Sequence, residues 1–208
     1  MLQMTHPSHK HDFVAYYKAV EGRPPRETLL YALSAFETEP QGITPPFAVD
    51  LGCGDGRDTV ELLRRGWQVL GIDAQPEAID RLRSRPDIDR DRLETQVTRF
   101  QDLVSLPPNV DLINASFSLQ FCPQPDFPIL WQKITTALRP GGRFCGQLFG
   151  DRDSWATFPN MSHHTLEEVE RLLQPFVVEM FEEEEHPGKT ALGEEKHWHI
   201  FQIVACKQ

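Results

Sequence analysis

A chain of 208 residues is the length of one α/β domain, and with 39% hydrophobic and 25% charged residues it has the material for a core, which excludes global disorder. Its formal net charge of −10 opposes a phosphate backbone and argues against a nucleic-acid partner. No stretch approaches the roughly 18 continuous apolar residues of a membrane span, and Met1-Leu2-Gln3-Met4 opens no apolar leader, so the expectation is a cytoplasmic protein with no membrane partner.

In chain order, residues 1–11, with His6, His9 and His11 among Pro, Ser and Lys, show no period and read as a mobile tail. Residues 12–40 read as a helical cap, two segments punctuated by Gly22-Arg23-Pro24-Pro25; its aromatics Phe13, Tyr16 and Tyr17 could close over a ligand. From residue 46 to 150 the period alternates. Pro46 to Leu51 is a short apolar run, then come a glycine-rich turn and the helical spacing Thr59 to Arg65. Strands follow at Trp67 to Ile72, Leu93 to Phe100, Val110 to Ser116 and Arg143 to Phe149, with helices at Glu77 to Leu82 and Pro128 to Leu138. This alternation predicts α/β architecture, a mainly parallel sheet with helices on both faces.

Residues 160–208 change character. Leu166 to Leu173 reads as a helix entered through Thr165 and its capping-box partner Glu168, and Phe176 to Glu185 and Lys196 to Cys206 read as an antiparallel hairpin joined by a loop containing Pro187-Gly188. The run Glu182 to Glu185 reads as a solvated edge. The four cysteines, Cys53, Cys122, Cys145 and Cys206, have no CxxC spacing and read as reduced thiols, with neither a disulfide framework nor a metal site.

The segment Asp50-Leu51-Gly52-Cys53-Gly54-Asp55-Gly56-Arg57-Asp58, between a strand and its helix, is where a ligand would approach the backbone. No GxxxxGK[ST] string occurs, so a P-loop is excluded. A dinucleotide loop wants GxGxxG and tolerates no crowd of carboxylates beside its pyrophosphate, whereas the spacing here is GxGxG with Asp50, Asp55 and Asp58 alongside; a nicotinamide oxidoreductase is the runner-up. S-adenosylmethionine has no phosphate and carries a sulfonium and an ammonium, which acidic residues attract, while loop amides and Arg57 or Arg23 could receive its carboxylate.

On these residues the chain resembles the class I S-adenosylmethionine-dependent methyltransferases, from about Phe47 to Phe149. The first family motif, E/D-x-G-x-G-x-G, is present as Asp50 to Gly56. Asp73, closing the strand Gln68 to Ile72, matches the acid that accepts both ribose hydroxyls, and Asp102 the acid on the adenine amino group. Leu138-Arg139-Pro140-Gly141-Gly142 matches the turn before the fifth strand. The resemblance implies a Rossmann-like single domain over 1–208, with 46–150 as donor-binding core. It implies donor contacts from Asp50, Gly52, Cys53, Gly54, Gly56, Arg57, Asp73, Ala74, Asp102, Leu103 and Ser116. The implied reaction passes the donor methyl to an acceptor and releases S-adenosylhomocysteine; a non-catalytic donor-binding regulatory domain is the other alternative.

Asn114-Ala115-Ser116-Phe117 stands where nitrogen-methylating relatives carry [D/N]PPY, so a small-molecule acceptor is favoured over nucleic acid or protein amides. Asp50 to Thr59 is similar to the tellurite-resistance group, in which Gly-x-Gly-Arg and a small polar residue recur; the hairpin and longer cap depart from it. Acceptor-side base candidates are His197 and His199, which alternation puts on one strand face, and His163 before the capping box. The assembly is expected to be a monomer or homodimer.

Overall fold

The computed structural model describes residues 13–39 and 44–208, so the N-terminal tail reading and its histidines lie outside the described residues. Seven strands form one sheet in the order β3-β2-β1-β4-β5-β7-β6. The strands are β1 (Phe47–Leu51), β2 (Gln68–Asp73), β3 (Leu93–Val97), β4 (Val110–Ala115), β5 (Leu138–Phe149), β6 (Phe176–Lys189) and β7 (Glu195–Lys207). Neighbours pair in parallel from β3 to β5, and β5–β7 and β7–β6 are antiparallel. The helices are α1 (Phe13–Val20), α2 (Glu27–Glu37), α3 (Arg57–Arg64), α4 (Pro76–Ser84), α5 (Phe127–Ala137) and α6 (Leu166–Leu173).

Strand alternation splits the interior in two. Val49 and Leu51 of β1 join a core with Leu130, Trp131 and Ile134 of α5 and Val169 and Leu173 of α6. Ala48 joins the opposite core with Leu29, Ala32 and Leu33 of α2 and Leu62 and Leu63 of α3. The second half of the predicted cap is therefore a structural layer on the sheet: at one helical spacing α2 buries the residues that cover β5 and β7. Asp50 sits in register between Gly71 of β2 and Asn114 of β4, at the carboxyl end of the sheet where the parallel strands open.

Three boundaries differ from the sequence reading. Arg139 to Gly142 bulge within β5 instead of preceding it, since Val110 faces Leu138 and Leu112 already faces Arg143. The third strand stops at Val97, and Phe100 to Asp102 form a 3₁₀ turn. Pro187-Gly188 lie inside β6, with Pro187 opposite His197; β6 is the sheet edge, where a residue without N–H is tolerated. The real turn spans residues 190–194, closed by Thr190 N–H to Glu194 O at 2.8 Å. Because β5 ends at Phe149, opposite Ile200, the hairpin beyond that pair runs on as a two-stranded ribbon. No helix among the described residues is long and apolar enough to cross a membrane.

Candidate active site

The loop after β1 is built by left-handed glycines. Gly52 has φ +72°, and a Cβ there would stand 2.3 Å from Ser118 Cβ; Gly56 has φ +94°, and a Cβ there would stand 2.4 Å from Leu82 Cδ1. The loop amides are already used: Gly52 and Cys53 donate to Ile72 O at 2.7 and 3.0 Å, Gly54 donates to Asp73 Oδ2 at 2.9 Å, and Gly56 donates to Cys53 O at 3.0 Å. These four amides therefore do not remain to receive a ligand carboxylate, contrary to the sequence reading.

The carboxylates around the loop are held in a network. Asp50 accepts from Thr59 Oγ1 at 2.5 Å and from Asn114 Nδ2 at 2.8 Å. The same amide donates to Asp58 Oδ2 at 3.2 Å, and Asp58 Oδ1 accepts from Arg26 N–H at 2.9 Å. Burial, and next the charge of Asp58, push the Asp50 carboxyl up to about 7 against the hydrogen bonds from Thr59 and Asn114. Asp73, closing β2, accepts from Gln75 N–H at 2.8 Å as well as from Gly54; burial raises its pKa while those amides hold the rise back.

A cavity of about 660 Å³ opens over this network, within the range of small-molecule sites. Asp50, Gly52, Cys53, Gly54, Arg57, Asp73, Ala74 and Ser116 line it, as do Asp55 and Asp58. Gly56 is absent from the lining because it turns into α3 as its N-cap. The 3₁₀ turn presents Gln101 to the cavity, while Asp102 is exposed and Leu103 is buried in the core, so neither of the last two lines it. From α1, Tyr16 and Tyr17 line the cavity together with the glycine loop, and a Cβ added at Gly54 would stand 3.4 Å from Tyr17 Cε1, so part of the predicted cap faces that loop.

The three histidine candidates lie outside the lining. His197 is an exposed partner of Glu185, its Nε2 at 3.0 Å. His199 is fully buried: its Nδ1 accepts from Arg152 N–H at 3.1 Å and its Nε2 meets Glu183 Oε1 at 2.9 Å. His163 is partly buried, which lowers its pKa. The alternation was read correctly, but the cavity is on the other face of β7, through Trp198, Ile200 and Gln202.

That far wall is aromatic. Phe117, Phe149, Trp155 and Trp198 line the cavity with ring centroids 5.9 to 6.4 Å apart. Phe117 is held at φ +51°, a strained conformation for an aromatic residue, with its N–H bonded to Gln147 Oε1 at 2.9 Å. Behind the wall, Lys196 is buried with its ammonium bonded to Asp153 and set 4.0 and 4.6 Å from the Trp155 and Trp198 ring centroids. As an aromatic wall, Phe117, Trp155 and Trp198 follow no spacing rule; the signals in the sequence were Phe117 after Asn114-Ala115-Ser116 and Trp198 between two histidines.

Comparison with known proteins agrees with this geometry. The model of a methyltransferase domain family matches residues 48–142. Trans-aconitate 2-methyltransferase of Deinococcus radiodurans is 32% identical over 130 residues, covering 59% of this chain and 46% of that one. A carboxy-S-adenosyl-L-methionine synthase of Cronobacter sakazakii is 32% identical over 102 residues, covering 45% and 39%. The chain thus spans less than half the length of these relatives. The crystal structure of TehB from Haemophilus influenzae superposes with a TM-score of 0.70 at 17% identity, over 86% of this chain and 62% of that one; this likeness speaks for the fold alone. The fold is Rossmann-like, and within it residues 48–142 match a methyltransferase domain. Residues 48–142 are similar to the methyltransferase domains, and a domain of that kind implies S-adenosylmethionine as the methyl donor.

Proposed function

We propose that this chain, as one domain, transfers the sulfonium methyl of S-adenosylmethionine to a small-molecule acceptor and releases S-adenosylhomocysteine. The observation that carries the reading is the coincidence of the glycine loop with Asp50, Asp55, Asp58 and Asp73 on one cavity wall. A sulfonium and an ammonium are attracted there, and a pyrophosphate would be repelled, which favours this donor over a nicotinamide dinucleotide. We assign the ribose hydroxyls to Asp73, supported by its position at the end of β2 on the cavity. With those four loop amides occupied, we assign the donor carboxylate to Arg26, Arg23 or Arg57 on the same cavity. Arg26 is the best suited, because its guanidinium lies 4.1 Å from the Phe117 ring centroid, makes no ion pair among the described residues and is partly desolvated, which lowers its pKa.

Methyl transfer is an in-line displacement, and the protein's contribution is alignment and exclusion of water, worth about 7–11 kcal/mol in favourable cases. The acceptor is placed beyond Ser116 and Phe117, against the aromatic wall. A thermal-shift comparison tests the donor: stabilisation by S-adenosylmethionine and S-adenosylhomocysteine is expected and none by NAD(H), and the reverse order would refute the reading. Release of S-adenosylhomocysteine in the presence of an acceptor separates an enzyme from a domain that only binds.

A further inference from the structure

The hairpin carries a histidine that the sequence reading passed over. His186 stands directly opposite Trp198 in the β6–β7 pair, so both side chains share one face of the ribbon, and both line the cavity. Its Nδ1 lies 3.1 Å from Pro187 O, so the Nδ1–H tautomer donates to that carbonyl and leaves the Nε2 lone pair free. Nε2 is 3.7 Å from Glu184 Oε2, and Glu184 is itself fixed by Gln202 Nε2 at 2.8 Å. A proton arriving on Nε2 would therefore meet a carboxylate. The other charged groups that the ribbon turns toward this cavity are Lys189 and Glu194.

Resting on the donor reading above, we propose that the acceptor is a flat, ring-bearing molecule with a neutral hydroxyl, that it packs against Phe117, Phe149, Trp155 and Trp198, and that His186 is its general base. A thiolate, a carboxylate or a chalcogen oxyanion arrives already nucleophilic and has no use for a base; a phenolic hydroxyl does. The hydroxyl proton passes to His186 Nε2 as the oxygen–carbon bond forms and the sulfur–methyl bond breaks. The sulfonium becomes the neutral thioether of S-adenosylhomocysteine, and the imidazolium, facing Glu184, returns its proton to water. A wall of four aromatic side chains favours a flat apolar molecule over a hydrated oxyanion.

The test uses the whole protein with 2-naphthol as probe. Calorimetry with S-adenosylhomocysteine comes first, since failure there overturns the donor reading along with this one. With that product bound, saturation-transfer NMR is expected to show contact with the 2-naphthol ring, lost in Trp198→Ala. With S-adenosylmethionine, wild-type protein is expected to methylate the probe. His186→Gln is expected to bind S-adenosylhomocysteine within about twofold of wild type but to turn over roughly 10²-fold more slowly near pH 7. Its rate should recover as pH approaches about 10, where a phenol ionises unaided. Donor binding without contact or methylation of 2-naphthol overturns the proposal. So does equal turnover by His186→Gln across the pH range, or preferential methylation of tellurite or selenite.

Discussion

Asn114 Nδ2 lies 2.8 Å from Asp50 Oδ1, across the register pair of β4 and β1, and the same amide reaches Asp58. One neutral side chain thus holds two buried carboxylates beside the glycine loop. Its own Oδ1 is satisfied by Ser116 Oγ at 3.1 Å and the Cys145 thiol at 3.3 Å. Asn114→Ala removes the donor from both acids and leaves buried acceptors unpaired, a loss of about 1–3 kcal/mol per group in denaturant unfolding. An unchanged midpoint would show that the bridge contributes nothing.

The raised Asp50 pKa gives a pH dependence with a definite sign. The folded value, about 7, lies above the ordinary carboxyl value of 3.8, so this group's contribution to stability is full below 3.8 and is lost as pH climbs toward 7. Donor affinity moves the opposite way, because a cationic ligand prefers the ionised acid: affinity should rise with pH up to about 7 and level off. Calorimetry below pH 7 in two buffers of different ionisation enthalpy should detect proton release on binding; identical heats would contradict the coupling.

Asp73→Ala removes the acceptor of Gly54 N–H as well as the proposed ribose contact. Donor affinity should fall by about 1.5–3 kcal/mol, the scale of hydrogen bonds to a charged group. Asp73→Asn keeps an acceptor oxygen and should lose less. Equal affinities of both variants and wild type by calorimetry would remove Asp73 from the site.

Gly52→Ala places a methyl 2.3 Å from Ser118 Cβ at φ +72°. Ser118 is itself tied to Leu51 O at 2.5 Å and cannot simply swing away. Strain of about 1–3 kcal/mol is expected, with lowered melting temperature and weakened donor binding; Ala at exposed Gly22, which meets nothing within 4 Å, is the control for backbone strain alone.

Lys196→Met strands the buried Asp153 carboxylate and should cost about 3–5 kcal/mol, whereas Lys196→Met combined with Asp153→Ser should regain most of it. Because Lys196 packs on Trp155 and Trp198, tryptophan emission should shift in the single variant. Equal stability of the single and double variants would argue against a structural ion pair.

The parallel sheet, its helices and the glycine loop were legible because each is written locally: apolar runs of strand length, helical spacing, and a glycine string between a strand and its helix. The position of Asp73 on the cavity was legible from its place at a strand end. The aromatic wall was not. Trp155 and Trp198 meet only when β7 folds back along β5, and Phe117 takes a backbone conformation no composition rule announces. His186 was hidden by Pro187-Gly188, which reads as a turn yet sits within an edge strand. Asp102 shows the converse: one residue of 3₁₀ rotation turns Gln101, not the acid, into the cavity.

The central claim is that the carboxylate-lined glycine loop binds the donor. Calorimetric titration of the purified protein with S-adenosylmethionine and, separately, NAD⁺ addresses it most directly. Saturable one-site binding of the sulfonium ligand, weakened by Asp73→Ala, with no heat from NAD⁺, is the predicted result; binding of NAD⁺ in preference, or of neither, would contradict it.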